Sequence, residues 1–306
     1  MAGAGFVRTL YRRAADTRAL RRPLDAVRLH PRVRALARRH VGLLLARGAS
    51  WANVDSALRL LAEDPRQEVV FGPWHGDAAL ELLYWAPFVR WAQAHFSLDP
   101  AQVTVVSRGS VAHWYGGACG TYLDAGEKRR RTPDAAAWFG PDPVLGLVEE
   151  YRAGAAAPRP LLKRMRHELL PPPADGPERS EGFLAVALGP TAAFPETPAN
   201  RVVAKRLLEA LAVRGPVVPL EPVGDPGELH RRLNGARGLV AAYSGLAVLG
   251  VLSGLPVIAL CSADGQVAEP DLDLAQRVAI ALGGSLAILD AGDLDRLRTA
   301  IGGRIR

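Results

Sequence analysis

The sequence predicts an α/β fold in which two domains, each a doubly wound parallel sheet, face a cleft behind a basic helical extension. Three observations predict it. Beyond residue 66, short apolar runs rich in Val, Leu and Ala alternate with segments of helical period. A Pro-rich polar stretch without periodicity, PPPADGPERSEG, divides that alternation in two, as an interdomain linker does. The uncharged stretch 238–263 is punctuated like a βαβ unit whose strands are covered on both faces. With 306 residues, 49% hydrophobic and 23% charged, the chain has enough apolar surface for such a core. The implied organisation is an extension over 1–66, a first α/β domain over 67–175 and a second over 183–306.

The extension spaces Leu, Val and Ala among arginines as two or three short helices, interrupted at Pro23 and Pro31. Residues 1–40 hold eleven arginines against Asp16 and Asp25, a net +9, so the remainder sums to −2 within a chain of +7. The body therefore carries no uniformly basic surface, and nucleic acid is not the expected partner. The segment reads either as a packed helical extension with solvated arginines or as a contact for anionic lipid headgroups. It lacks the uninterrupted apolar run and small-residue cleavage site of a secretory signal. Cys119 and Cys261 are too few for a disulfide framework, which points to a reducing, cytoplasmic setting, peripheral to the inner membrane face if residues 1–40 bind lipid.

The helix WANVDSALRLLAEDP, ended by Asp64-Pro65, closes the extension. EVVFGPW is then a strand running into a Gly/Pro turn, DAALELLYWAPFVRWAQAHF a helix that Pro87 kinks or divides, and QVTVVSRG a second strand. VLGLVEEYR and PLLKRMRHELL are helical and precede the linker. After it, GFLAVALG is a strand, NRVVAKRLLEALAVRG a helix closed by Gly215, PVVPLEP a strand and DPGELHRRLNGA a helix. The uncharged stretch follows. It exceeds the roughly 20 residues of a bilayer span, but Ser244-Gly245, Gly250 and Ser253-Gly254 break it into strand GLVAAY, helix LAVLGVLS and strand PVIALC. QRVAIALGG, SLAILD and LDRLRTAI continue the alternation.

Four places carry candidate chemistry. Asp77, where the first strand gives way to its helix, is an N-cap for free amide hydrogens, or a base facing the cleft that removes a hydroxyl proton. His75 is the competing base, and Glu81, one turn on, orients either group or is simply a first-turn acid. In VSRGSVAHWYGGACGTYLDAGE, Arg108, His113, Trp114 and Tyr115 fall in a loop beside that strand. With Trp74 they offer aromatic faces and hydrogen-bonding groups suited to a sugar ring, and equally suited to a core. Asn200, Arg201 and Lys205 open the helix after GFLAVALG, a plausible diphosphate site or an ordinary cap. In the turn Tyr243, Ser244, Gly245, Leu246, small residues let a backbone approach a phosphate or nucleoside. Asp271-Leu272-Asp273 and Asp293-Leu294-Asp295 match a divalent-ion pattern but sit at helix starts, where capping accounts for both, so neither metal nor cofactor is expected. The chain has no Walker loop, GxSxG or GxGxxG.

GPWHGDAALELLYWAPFVRW followed by VVSRGSVAHWYGG resembles bacterial cell-surface polysaccharide glycosyltransferases of the GT-B type, built from two Rossmann-like domains. YSGLAVLGVLSGLPVIAL is similar to their nucleotide-side loop. The likeness covers residues 68–125 and 183–265. In heptosyltransferase-like members an acid in a Gly-Asp turn after the first strand is the base, which implies that role for Asp77 behind Gly76. The Asp-Ser-Gly donor turn maps to Ser244-Gly245, with Tyr243 in place of the acid and the later histidine missing. The resemblance implies metal-independent sugar transfer from a nucleotide-sugar donor to a glycan or lipid-linked acceptor. The two departures leave a non-catalytic nucleotide- or glycan-binding protein on the same scaffold as the alternative.

Overall fold

The computed structural model describes residues 51–62, 67–125, 137–155, 159–172, 182–213, 215–221, 225–293, 296, 299 and 300. The basic segment 1–40 lies outside the described residues, as does the linker over 173–181. Helix α1 (Trp51–Ala62) leads to strand β1 (Val69–Phe71). Helix α2 starts as an α-turn over Ala78–Leu80, widens to a π-helical stretch over Glu81–Trp85 and continues as an α-helix over Ala86–His95. Strands β2 (Val103–Ser107), β3 (Thr121–Asp124) and β4 (Ala137–Phe139) follow, then helices α3 (Asp142–Arg152) and α4 (Arg159–Arg164). The second half runs β5 (Phe183–Ala187), α5 (Pro198–Ala212), β6 (Val217–Pro219), α6 (Pro226–Asn234), β7 (Ala236–Ala242), α7 (Gly245–Leu252), β8 (Val257–Cys261), α8 (Glu269–Ala281) and β9 (Leu286–Asp290).

Two sheets result, ordered β3-β2-β1-β4 and β6-β5-β7-β8-β9, and every pairing is parallel. The stretch 238–263 is the buried β7-α7-β8 unit that its punctuation predicts, and among the described residues no helix is long and apolar enough to cross a membrane. Arg108 and His113–Tyr115 lie in the connection after β2 as expected, and beyond it Thr121–Asp124 pairs with β2 as a strand the sequence did not mark. Asp271 is also not a cap. Its carboxylate accepts from Tyr84 Oη at 2.6 Å and from Arg152, while Asp293 does cap, accepting from the Arg296 amide at 3.1 Å.

Strand alternation explains how the halves join. Val69, Phe71, Val105 and Phe139 from the first sheet, and Ala185, Leu239, Ala241, Val257 and Ala259 from the second, point into one continuous apolar core. Helices α2 and α7 fill that core between the sheets. Helix α7 is apolar all round, and nearly every residue of it is buried. The opposite face of the second sheet, with Leu184, Val186, Val240, Ile258 and Leu260, packs on Leu207 and Leu211 of α5. The two sheets thus share a helical layer.

Pro87 explains the π-helical stretch. In a regular helix the Leu83 carbonyl would accept from residue 87, but proline has no N–H and its ring crowds that carbonyl. The turn therefore widens, with the Ala86 amide reaching back to the Glu81 carbonyl. The orphaned Leu83 carbonyl accepts instead from His167 Nε2 at 2.8 Å, which fixes that ring nitrogen as the donor. Burial pushes the His167 imidazole down to about 4. A histidine that is neutral when folded but free to protonate at about 6.5 when unfolded lends stability that is complete above pH 6.5 and lost as pH falls toward 4. The loss expected from this group is about 3 kcal/mol. Urea titrations at pH 7, 5.5 and 4.5 should show that limb, and His167→Gln, which keeps an N–H for Leu83 without titrating, should flatten it. An equally steep limb in His167→Gln would assign it to other groups.

Candidate functional site

In parallel α/β sheets ligands bind beyond the carboxyl ends of strands, where the strand order reverses. In the first sheet that point lies between β1 and β4, and in the second between β5 and β7. The turn after β1, residues 72–77, and the turn after β7, residues 243–245, stand at these two points, and Gly245 lies against Ala78 and Ala79, which follow the first turn. A Cβ on Gly245 would lie 2.8 Å from Ala78 Cβ and 2.9 Å from the Ala79 amide nitrogen.

The first turn is pinned from below. Gly72 (φ +124) lies so close to the Val106 carbonyl that a side chain there would collide with it. The Gly72 amide donates to Phe139 O and the Trp74 amide to Val106 O, both at 3.0 Å. His75, Gly76 and Asp77 then emerge exposed. Asp77 caps α2, its Oδ1 accepting from the Ala79 amide at 2.6 Å and the Leu80 amide at 3.4 Å. Its Oδ2 accepts no bond from the described residues.

Beneath the turn lies a buried charge. Glu81, fully buried on the first turn of α2, accepts from Tyr115 Oη at 2.6 Å and from Ser107 Oγ on one oxygen, and from Arg108 Nε at 2.8 Å on the other. Burial raises the Glu81 carboxyl above its ordinary pKa, against the pull of Ser107, Tyr115 and Arg108. The same burial and the Glu81 charge hold the Tyr115 phenol well above its usual value. Arg108, 27% exposed, also donates through Nη2 to the Gly76 carbonyl, and its own carbonyl accepts from Tyr122 Oη. One arginine therefore joins the end of β2, the buried carboxylate and the exposed turn.

Other residues expected at the site take different places. Trp74, Trp114 and Tyr115 are core residues, so their rings pack on protein; Trp74 stacks on Trp85 at 5.9 Å. His113 is half-buried, 2.6 Å from His230 Nδ1 across the junction of the two halves, and burial lowers its pKa. The Asn200 amide is buried and committed to Pro195 O at 2.8 Å and Ser262 Oγ at 3.2 Å, tying the loops after β5 and β8. Thr197, not Asn200, caps α5. Arg201 and Lys205 are exposed on α5. Tyr243 is buried, with its hydroxyl 3.4 Å from the Asp271 carbonyl, and Ser244 caps α7 through the Leu246 amide at 3.3 Å. Leu246 packs half-buried against the shared core. The structure thus brings together His75, Asp77, Glu81 and Arg108, and sets Ser244–Leu246 against the start of α2. Ser107 completes the buried network, and its one sequence signal is a hydroxyl closing the apolar strand VTVVS.

No protein-family model and no curated protein matches the chain. Among solved structures, it is similar to the dodecameric iron-containing heptosyltransferase TibC in complex with ADP-D-beta-D-heptose, at 15% identity and a TM-score of 0.43, covering 64% of this chain and 58% of that one. It is also similar to a glycosyl transferase family 9 protein from Veillonella parvula DSM 2008, at 10% identity and a TM-score of 0.43, covering 79% and 92%. A further structure of TibC, from enterotoxigenic E. coli H10407, matches at 14% identity, 63% and 58% coverage and the same TM-score. These structural neighbours are glycosyltransferases. The chain spans 58% of the length of TibC, and its chemistry rests on its own side chains.

Removing one member of a buried charged network leaves the others unpaired, at a cost of about 3–5 kcal/mol. Glu81→Ala should lower stability by about that much. Tyr115→Phe, which leaves Glu81 two donors, should cost about 1–2 kcal/mol. Equal denaturation midpoints for the two variants would show that the carboxylate does not organise the network.

Proposed function

We propose that the protein is a metal-independent glycosyltransferase that moves a sugar from a nucleotide-sugar donor to a glycan or lipid-linked acceptor in cell-surface polysaccharide synthesis, on a GT-B-like scaffold. The observation that supports this reading is that the turn after β7 lies against the start of α2, each at the reversal point of its own sheet, with His75 and Asp77 exposed just before that helix. Asp77 Oδ2 takes the proton of the acceptor hydroxyl while that oxygen bonds to the anomeric carbon. The bond from this carbon to the nucleotide diphosphate breaks, and its electron pair leaves with the diphosphate. His75 stands beside the acceptor, Ser244–Leu246 border the nucleotide, and Arg201 and Lys205 meet the departing charge. Residues 1–40 hold the enzyme at an anionic membrane from the cytoplasmic side.

A second reading, a non-catalytic nucleotide- or glycan-binding protein, is favoured by one observation. The space above Gly245, where a phosphate would approach the backbone, is taken by Ala78 and Ala79.

A thermal-shift screen against UDP, GDP, ADP, CMP and their sugar conjugates separates the readings. A ligand at 100 times its Kd adds about 2.7 kcal/mol. The transferase reading expects one nucleotide class to stabilise the protein, its sugar conjugate to be turned over, and Asp77→Asn to lose about 10²–10⁴-fold of that rate while still binding donor. Stabilisation without turnover selects the second reading, and folded protein that responds to none of the ligands overturns the transferase reading and leaves the second in its glycan-binding form. For the membrane contact, the full chain should float with phosphatidylserine vesicles and a chain lacking 1–40 should not; flotation of both would remove that role.

A further inference from the structure

Arg108 was expected at the acceptor, yet two of its five N–H donors go to protein. Nε goes to the buried Glu81 carboxylate and Nη2 to the Gly76 carbonyl, one residue before Asp77. Each contact alone is ordinary, but their combination is not. Glu81 has no exposed surface, and its first-turn position on α2 is set by the same helix that Asp77 caps. A buried carboxylate at that point is expensive in desolvation, and apolar residues in place of the whole network would fill the space at lower cost. What the carboxylate supplies is direction. With Ser107 and Tyr115 on its other oxygen it can rotate little, so the guanidinium plane is fixed, and with it the carbonyl that Nη2 holds.

Resting on the transferase reading, we propose that Arg108 is a positioning residue for Asp77, and that Glu81 sets Arg108. The Glu81-Arg108-Gly76 chain holds the turn 75–77 so that Asp77 keeps Oδ1 on the amides of Ala79 and Leu80 and leaves Oδ2 for the acceptor hydroxyl. Without that hold, the exposed turn swings about Gly76 and Asp77 leaves the amides of Ala79 and Leu80, so that neither oxygen stays aimed at the acceptor. The surrounding charge supports a tether over a substrate-binding arginine. The guanidinium is paired with Glu81 at 2.8 Å, so a second anion would gain little there.

Arg108→Lys tests this, because lysine keeps a positive charge for Glu81 but as a point charge cannot span both acceptors. Tyr115→Phe is the companion, removing a donor from Glu81 without touching the Arg108 contact to Gly76. Amide hydrogen exchange of Ala79 and Leu80 reads the cap without any substrate. Arg108→Lys should speed both amides about tenfold or more with amides of β7 and β8 unchanged, and Tyr115→Phe, in which Ser107 still holds that oxygen of Glu81, should speed them by much less. Unchanged exchange at Ala79 and Leu80 in Arg108→Lys overturns the proposal, as does equal acceleration throughout the protein or in Tyr115→Phe.

Kinetics supply the second arm once a donor is turned over. Arg108→Lys should lower kcat about tenfold or more with donor KM unchanged, and Asp77→Asn combined with Arg108→Lys should be no slower than Asp77→Asn alone. Multiplicative losses in the double variant would show that Arg108 acts independently of Asp77 and overturn the proposal. If no donor is turned over, the transferase reading fails by itself, and the exchange data still decide whether Arg108 holds the turn.

Discussion

Pro87 withholds one hydrogen-bond donor from the middle of α2, and the layout of the first half follows from where that deficit is made good. The helix cannot close its ladder at Leu83, so it takes up an extra residue in a π-helical stretch, and His167 supplies the missing donor. One extra residue turns everything upstream by about 100° relative to everything downstream. Downstream, Phe88 and Trp91 face the aromatic cluster of Phe71, Trp85 and Phe139, with ring centroids 5.4–6.5 Å apart within that cluster. Upstream, Glu81 faces Ser107, Arg108 and Tyr115. A regular helix could not present an apolar stripe to one and a carboxylate to the other in these positions. The local fault is what separates the packing part of the helix from its polar part.

The second half is fastened to the first through this same helix. Ala78 and Ala79 receive Gly245, and Tyr84, inside the π-helical stretch, donates to Asp271, which Arg152 also grips. Away from α2, Ser110 seats Gly227 and His113 meets His230. Apolar burial draws the sheets onto a shared layer, but apolar contact is non-directional and would tolerate many registers. The buried polar ties, each with partners from both halves, select one of them. The price is access: small residues that would admit a phosphate at a strand-to-helix turn here admit another helix.

The parts of this arrangement that the sequence reveals are those controlled by local rules. Alternating periodicity marks most of the strands and helices, and Ser244-Gly245 and Pro256 mark where the uncharged stretch breaks, because turn chemistry and burial pattern act over a few residues. Pro87 announces a disturbance of α2 but not its kind, since the partner that repairs it lies 84 residues away. The same distance problem hides the site. Glu81 reads as a first-turn acid, Asp271 as a cap and Asn200 as a ligand contact, because each has a good local explanation. Their true partners, Arg108, Tyr84 and Ser262, are brought to them only by the sheets. Trp114 and Tyr115 illustrate the converse. Aromatic residues in a Gly-rich segment look like a binding platform, yet the turn folds inward and uses them as core.

Asp77 is where local and distant constraints meet. As a cap it needs its carboxylate turned toward the helix, and as a base it needs an oxygen turned away. A carboxylate can do both only while it stays seated on the helix, one oxygen on the amides of Ala79 and Leu80 and the other outward. What keeps it seated is the path of the chain just before it, and that path is held by an arginine whose direction comes from a carboxylate buried one turn further on. The cost of burying Glu81 is thereby linked to an exposed oxygen two residue contacts away. A neutral, well-packed cluster in place of Glu81 together with Ser107, Arg108 and Tyr115 would give a more stable protein with a freer Asp77.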